Sequence, residues 1–504
     1  MARRGIQRLK TGCTTCKIRK IRCDEGRPQC FRCLSTGRRC DGYLPAAPGT
    51  YSWSQLLHLE TAPIQAALDA EPHIISYFRH VVAPSISGPL DSHLWTSVVM
   101  QISSQQPAAK HAVLAISSLY KTMNTIEVIS PCCAREDALV ARHYNEAIVQ
   151  LRTVQDQNTV LLVCILFICI DFLRGDHQSA VDHCRHGINI LNGMPNDSEH
   201  VRDHLRPAFC RLSIFPYFFG ASPNTFPDLE YPWTHPTREI CSLEDAHASL
   251  TPLLARVVRF VRSADTYRLG LVATPQCDSD TTDKQLLIEA SLNSWLAAFN
   301  TFKEHRIQKL HNDHVVQMLE VRWLVCSIWL ATCFSKDESI YDTHMDKFQA
   351  IVNLTTEAAI IMNKANTPRK GRFGFEMSFG PFLAFVVIKC RSLKLRMTAL
   401  RLMEKLSPLR EHCWDMAVLS ALGRRTIEVE HDLKLDTIIE SGIMVLNETL
   451  PPEERRIMDS IMQPDSDVLT GNLDIGASHR IVCFLMKDPF GDGITNRDES
   501  LLVG

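Results

Sequence analysis

Six cysteines near the start of the chain are spaced as metal ligands. They are Cys13, Cys16, Cys23, Cys30, Cys33 and Cys40. The last three repeat the spacing of the first three after 17 positions, so the segment consists of two similar halves. Three thiolates in each half are too few for a tetrahedral zinc ion, which takes four ligands. Two zinc ions are satisfied only if two of the six sulfurs bridge both ions, and the spacing therefore predicts a site for two zinc ions.

Other uses of these cysteines fit the sequence less well. A disulfide framework requires an oxidising compartment, and residues 1–10 contain no apolar segment that could serve as a signal peptide. An iron–sulfur site would need a tighter spacing. A zinc ribbon built from four of the six thiols would leave two of them unexplained.

The charge of the chain is divided unevenly between its start and the rest. The net charge is −2, yet residues 1–42 contain twelve lysines and arginines and only three acids. The remaining residues are therefore acidic overall. A compact basic segment attached to an acidic body is typical of a nucleic-acid-binding domain with a separate regulatory part.

The stretch from Gly12 to Tyr43, GCTTCKIRKIRCDEGRPQCFRCLSTGRRCDGY, resembles the fungal binuclear zinc cluster transcription factors. The resemblance includes all six cysteines and much of the sequence between them. It implies that Cys13 and Cys30 bridge the two ions. Cys16 and Cys23 would then complete the first zinc site, and Cys33 and Cys40 the second.

The basic residues between Cys16 and Cys23 are the candidate DNA contacts. They are Lys17, Arg19, Lys20 and Arg22. Lysine and arginine donate hydrogen bonds to the O6 and N7 acceptors of guanine in the major groove. The resemblance implies that Lys20 reads a CGG triplet, and that its basic neighbours contact phosphates or flanking bases. Ile18 and Ile21, three residues apart, are expected to close over the metal core.

The rest of the chain has the apolar periodicity of helices, which predicts a mostly α fold. A zinc cluster over residues 1–43 is expected to precede a linker at 44–70, where no heptad pattern predicts a coiled coil. A helix is expected to start at Pro72, and the apolar segment after Asn158 should be a central buried helix. Four prolines between 223 and 236 suggest that a large helical regulatory domain consists of two lobes, 71–222 and 237–504.

Two further segments are expected to depart from helix. Residues 366–380 have the composition of an exposed loop, and His479–Lys487 alternates like a short strand before a turn. Parts of the helical region also resemble the regulatory domain that follows the zinc cluster in many regulators of filamentous fungi. These parts are residues 75–95, 108–120, 143–152, 166–191 and 379–403.

The sequence lacks the nucleophile, phosphate-loop, zinc-protease and dinucleotide motifs of common enzymes, so no catalytic activity is expected. Its longest apolar run, residues 160–170, is too short to span a bilayer, and no membrane association is expected.

The sequence predicts a nuclear RNA polymerase II transcription factor. It would contact double-stranded DNA with CGG-type sites and the transcription machinery, and could form a homodimer through its helical domain. The resemblance further implies control of a metabolic or secondary-metabolite gene cluster. A zinc-stabilised protein-interaction or co-regulator protein that does not read DNA remains the alternative.

Overall fold

The computed structural model describes most of the chain in two compact units, residues 1–61 and 62–504. The described residues are 13–19, 21, 23–24, 29–40, 64–90, 92–125, 133–194, 198, 201–229, 239–270, 279–310, 313–364, 371–436, 450–462, 478–488 and 493–503. Within the first unit they form two short helices, α1 (Thr14–Ile18) and α2 (Phe31–Leu34). Each helix starts directly after a cysteine, as the two-half pattern of the sequence predicts.

The second unit is built mainly of helices. Its first helices are α3 (Ile64–Tyr77), α4 (Ala83–Ile86), α5 (Val99–Gln105), α6 (Pro107–Thr125), α7 (Cys133–Leu151), α8 (Gln157–Arg174), α9 (His177–Gly193) and α10 (Arg206–Leu212). Short π-helical turns over Phe78–Val82, Leu94–Val98 and Val201–Leu205 lead into α4, α5 and α10. The helix start expected at Pro72 is wrong: α3 begins at Ile64, inside the predicted linker, and Pro72 lies within the helix.

The remaining helices in the described part of this unit begin at Leu243 and follow one another to His431. They are α11 (Leu243–Arg268), α12 (Ser279–Leu310), α13 (His314–Thr332), α14 (Met345–Lys364), α15 (Gly380–Lys389), α16 (Leu393–Leu406) and α17 (Met416–His431). Short 3-10 helices cover Phe215–Phe218, Glu338–His344 and Glu453–Arg455 in the described part of this unit. Helix α11, which lies between the proline-rich segment and α12, was not predicted from the sequence.

Helix α8 lies at the centre of the second unit, as expected from its composition. Every residue from Leu161 to Leu173 is buried, and α8 packs against α6 and α9. Its ends are fixed locally. The Asp156 carboxylate accepts hydrogen bonds from the backbone N–H groups of Asn158 and Thr159, and Gly175 adopts the left-handed conformation that ends many helices.

Two helices, α8 and α13, are long and apolar enough to cross a membrane by length and composition alone, and both are largely buried in the second unit. The core helices of globular proteins meet the same criteria.

Two small three-stranded sheets accompany the helices. One joins β1 (Phe373–Gly374), β2 (Arg410–Glu411) and β3 (Trp414–Asp415). The other is antiparallel and has the order β4 (Ile457–Met462), β5 (Ser478–Lys487) and β6 (Ile494–Val503). The strand predicted at 479–487 is confirmed as β5, and most of the turn predicted after it lies outside the described residues. The sheet packs on α17 through Val482, Phe484 and Leu501.

The expectation of an exposed loop at 366–380 is wrong for its described part, residues 371–380. Phe373, Phe375 and Phe379 are all buried. Phe375 stacks edge-on against Trp95, and its backbone N–H donates to the carbonyl of Ile86 at 3.1 Å. The segment therefore joins residues of the predicted first lobe to those of the predicted second lobe. The division into lobes at 71–222 and 237–504 stays a prediction about a region that forms one compact unit.

Candidate metal centre and nucleic-acid interface

The short helices α1 and α2 place their cysteines on the same inner side of the N-terminal unit. Cys13 and Cys30 each immediately precede a helix, and Cys16 and Cys33 follow three residues later, within the first turn. The backbone N–H of Cys16 donates to Cys13 Sγ at 3.4 Å, and that of Cys33 donates to Cys30 Sγ at 3.3 Å. Such donors stabilise thiolates and orient them around a metal.

The distances between sulfur atoms match the edges of zinc tetrahedra. A Zn–S bond of roughly 2.3 Å sets tetrahedral S–S separations of about 3.8 Å. Cys13 Sγ lies 3.6 Å from Cys30 Sγ and 3.8 Å from Cys33 Sγ. Cys16 Sγ lies 3.7 Å from Cys30 Sγ. These three separations are the ones that zinc coordination requires.

The six sulfurs form two overlapping groups of four. One group contains Cys13, Cys16, Cys23 and Cys30, and the other contains Cys13, Cys30, Cys33 and Cys40. Within each group all ligand atoms lie within 4.8 Å of one another. Cys13 and Cys30 belong to both groups, so the geometry suits two ions that share two sulfurs. Among the described residues, no other set of three or more histidines, cysteines and acids is arranged in this way.

All six thiols are buried, and they form the only cluster of buried residues in the described part of this unit. Burial raises the pKa of the Cys13 thiol to about 12 when no metal is bound. A zinc ion would supply the positive charge that keeps the sulfur deprotonated, so loading should release protons. The metal thus takes the place of an apolar core.

Polar contacts tie the two halves of the unit together. The Asp24 carboxylate accepts hydrogen bonds from the backbone N–H groups of Phe31 and Arg32, at 2.8 and 2.9 Å, and so caps α2. Arg19 Nη1 donates to Thr36 Oγ1 at 3.3 Å, linking the turn after α1 to the turn after α2. Sequence reasoning missed Asp24, because seven residues separate it from the helix that it caps.

The structure describes only part of the predicted DNA-contacting segment. Arg19 follows the last turn of α1, where its backbone N–H donates to the carbonyl of Thr15. Lys20, Arg22 and the side chain of Lys17 lie outside the described residues. The expectation that Ile18 and Ile21 close over the metal is wrong, since their side chains are 74% and 39% exposed. A five-residue helix whose inner face carries sulfurs leaves no room there for these side chains.

Comparison with known proteins finds one family match within each of the two units. Residues 11–48 match the fungal Zn(2)-Cys(6) binuclear cluster domain, and residues 73–363 match the fungal specific transcription factor domain. No solved structure matches the chain.

Several fungal regulators are similar in sequence. The Aspercryptin biosynthesis cluster-specific transcription regulator atnN of Emericella nidulans is 24% identical over 401 residues, which cover 71% of this chain and 65% of atnN. The transcription regulator lscL of Purpureocillium lilacinum is 26% identical over 200 residues, covering 35% of this chain and 47% of lscL. The Zn(2)-C6 fungal-type transcription factor afumD of Aspergillus fumigatus is 30% identical over 125 residues, covering 23% of this chain and 33% of afumD.

These proteins are transcription regulators, not enzymes. Because the match to the regulatory domain covers more than half of the chain, the chain belongs to the fungal specific transcription factor family, with a zinc cluster domain at its N-terminal end.

Proposed function

We propose that this protein binds CGG-type triplets in double-stranded DNA through its N-terminal unit. Two zinc ions, bridged by Cys13 and Cys30, hold the unit in shape. The observation that carries the proposal is the overlap of two four-sulfur groups at these two residues, because two zinc ions sharing these sulfurs would hold α1, which directly precedes the basic segment, against α2.

The basic segment follows the metal site directly. The backbone N–H groups of Arg19 and Ile21 donate hydrogen bonds to the carbonyls of Thr15 and Cys16, so both residues stay close to the end of α1. Lys20 would donate to guanine in the major groove, while Lys17, Arg19 and Arg22 would contact phosphates or flanking bases.

The larger unit supports a regulatory role in the nucleus. The described chain resumes with helix α3, and no heptad pattern precedes it, so we propose that any homodimer forms through residues 71–504. Two linked clusters would bind paired triplets more tightly than one cluster, because the second contact becomes intramolecular. The name of atnN suggests that the target is a biosynthetic gene cluster. We propose that RNA polymerase II transcribes the target genes.

Two single substitutions test base reading against simple charge attraction. Lys20→Ala should weaken binding to a CGG duplex by about 1–3 kcal/mol and reduce discrimination against a scrambled duplex. Arg38→Ala, at an exposed basic residue of the second half, should weaken both duplexes alike and lower the slope of log K against log salt by about one.

Zinc content must be equal in both variants for the comparison to hold. Equal losses on both duplexes for Lys20→Ala would contradict base reading by this lysine. Wild-type protein that binds both duplexes alike would favour the alternative of a protein-interaction or co-regulator module.

A further inference from the structure

An apolar side chain projects from the end of α1, inside the basic segment that is proposed to contact DNA. Ile18 is the last residue of this helix and is 74% exposed. It follows Cys16 by two positions, and residues two apart on a helix do not face each other. Because Cys16 is completely buried in the sulfur cluster, the Ile18 side chain points away from the metal site.

Ile18 lies between the positions of two proposed DNA contacts. Lys17 precedes it in α1, and Arg19 follows it. The backbone N–H of Arg19 donates to the carbonyl of Thr15, four residues back, so the α-helical spacing of about 100° per residue extends to Arg19. A duplex that both cations contact would therefore lie across Ile18.

The other described side chains of the basic segment offer less surface to a partner. Arg19 is half-buried, and its Nη1 donates to Thr36 Oγ1 at 3.3 Å, which directs the guanidinium group toward the turn after α2. Ile21, the second isoleucine of the segment, is only 39% exposed. Among the described residues, Ile18 is therefore the apolar side chain of this segment that is best placed to reach DNA.

Thymine offers the apolar contact that such a side chain can make in the major groove. Each base presents hydrogen-bonding groups there, and thymine alone adds a methyl group, at C5. Apolar side chains distinguish thymine by packing on this methyl group, as lysine and arginine distinguish guanine by hydrogen bonds. A basic helix end that also exposes an isoleucine can therefore make both kinds of base contact.

We propose that Ile18 contacts the methyl group of a thymine next to the CGG triplet and so selects a flanking base pair. This contact rests on the proposed function, the binding of CGG-type DNA, and adds a preference outside the triplet. Lys20, two positions after Ile18, would donate to guanine while Ile18 packs on the neighbouring base pair. Loss of the methyl contact should lower the affinity about fourfold, which is the effect of exposing one buried methyl group.

Removing methyl groups from the DNA alone tests this contact. Fluorescence anisotropy would measure the binding of the full-length, zinc-loaded protein to duplexes in which A·T pairs flank the CGG triplet on both sides. Two such duplexes together place thymine on either strand at every flanking position. Each is also made with deoxyuridine, which lacks only the methyl group, in place of the flanking thymines. We expect the uracil form of at least one duplex to bind about fourfold more weakly than its thymine form.

Two variants assign the effect to Ile18. Ile18→Ala should bind the thymine and uracil forms alike, because the side chain that contacts the methyl group is gone. Leu34→Ala is the matched control, since Leu34 is 53% exposed on α2 and lies outside the basic segment. It should keep the wild-type difference between the two forms. Native mass spectrometry should find two zinc ions in both variants, and the wild-type comparison depends on neither of them.

The possible results separate this contact from the proposed function. Wild-type protein that prefers CGG to a scrambled triplet, but binds the thymine and uracil forms of both duplexes alike, would overturn the contact alone. A difference between the two forms that persists in Ile18→Ala would also overturn it, because another residue would then sense the methyl group. Wild-type protein that does not distinguish the triplet would contradict the proposed function, and the contact with it.

Discussion

Replacing Glu430 should destabilise the helical unit markedly, because its carboxylate is fully buried between two arginines. Glu430 Oε1 lies 3.3 Å from Arg391 Nη2 and accepts a hydrogen bond from the backbone N–H of Ile457 at 2.7 Å. Its second oxygen contacts Arg396. Although burial alone would raise the pKa of Glu430, the two guanidinium groups hold it below its ordinary value. Glu430→Ala would leave two buried cations without this partner.

The expected change in melting temperature follows from the lost free energy of unfolding and the number of residues in the unit. Removing one partner of a buried ion pair costs about 3–5 kcal/mol. A unit of about 440 residues unfolds with an entropy of roughly 0.9 kcal/mol per kelvin. The melting temperature should therefore fall by about 3–5 °C, which far-UV circular dichroism at 222 nm can measure.

A matched control separates this effect from the loss of any glutamate. Glu357 is exposed on α14, and Glu357→Ala should change the free energy of unfolding by less than about 0.5 kcal/mol. If Glu430→Ala melted within about 0.5 °C of Glu357→Ala, the buried network would not stabilise the fold as we argue.

Further predictions concern the metal, a buried acid and assembly. Cys13→Ser should lose both zinc ions because its sulfur belongs to both groups, whereas Cys16→Ser should retain one; native mass spectrometry counts the ions. Burial raises the pKa of Asp171 to about 8. Between about pH 4 and pH 8 this carboxyl group is therefore ionised in the unfolded chain and protonated in the folded chain, so the free energy of unfolding falls as the pH rises through this range. Asp171→Asn should therefore raise the melting temperature near neutral pH and not at about pH 4, and a similar gain for the half-exposed Asp182→Asn would contradict this explanation. Analytical ultracentrifugation should find residues 1–70 monomeric and place any dimerisation in the full-length chain, and a dimeric 1–70 fragment would contradict the assignment.

The sequence predicted the metal centre well because its geometry depends on local spacing. Cys13 and Cys16 lie within one helical turn, and the same turn recurs at Cys30 and Cys33, so few arrangements of six thiols are possible. The central helix α8 was equally predictable, because an unbroken apolar run over residues 160–170 is long enough for a helix and apolar on every face, which favours burial on all sides. The alternation at 479–487 likewise identified strand β5.

Features that depend on distant contacts were not predictable. The segment 371–379 has the glycine content of a loop, but its Phe375 packs against Trp95, which is far away in the sequence. From the sequence, the charged residues around Glu430 would be expected at the surface. In the structure they are buried, and strand β4 places the backbone N–H of Ile457 against Glu430. Ile18 and Ile21 show the opposite error: apolar residues at helical spacing were expected inside, although the sulfurs already occupy the interior.

Selection from a random DNA library tests the central claim most directly. Full-length, zinc-loaded protein should enrich duplexes that contain CGG triplets, and removal of zinc with a chelator should abolish the enrichment because the cluster then loses its support. Binding that depends on salt but enriches no sequence would show attraction to phosphates alone. Either that result or enrichment that persists without zinc would contradict the account.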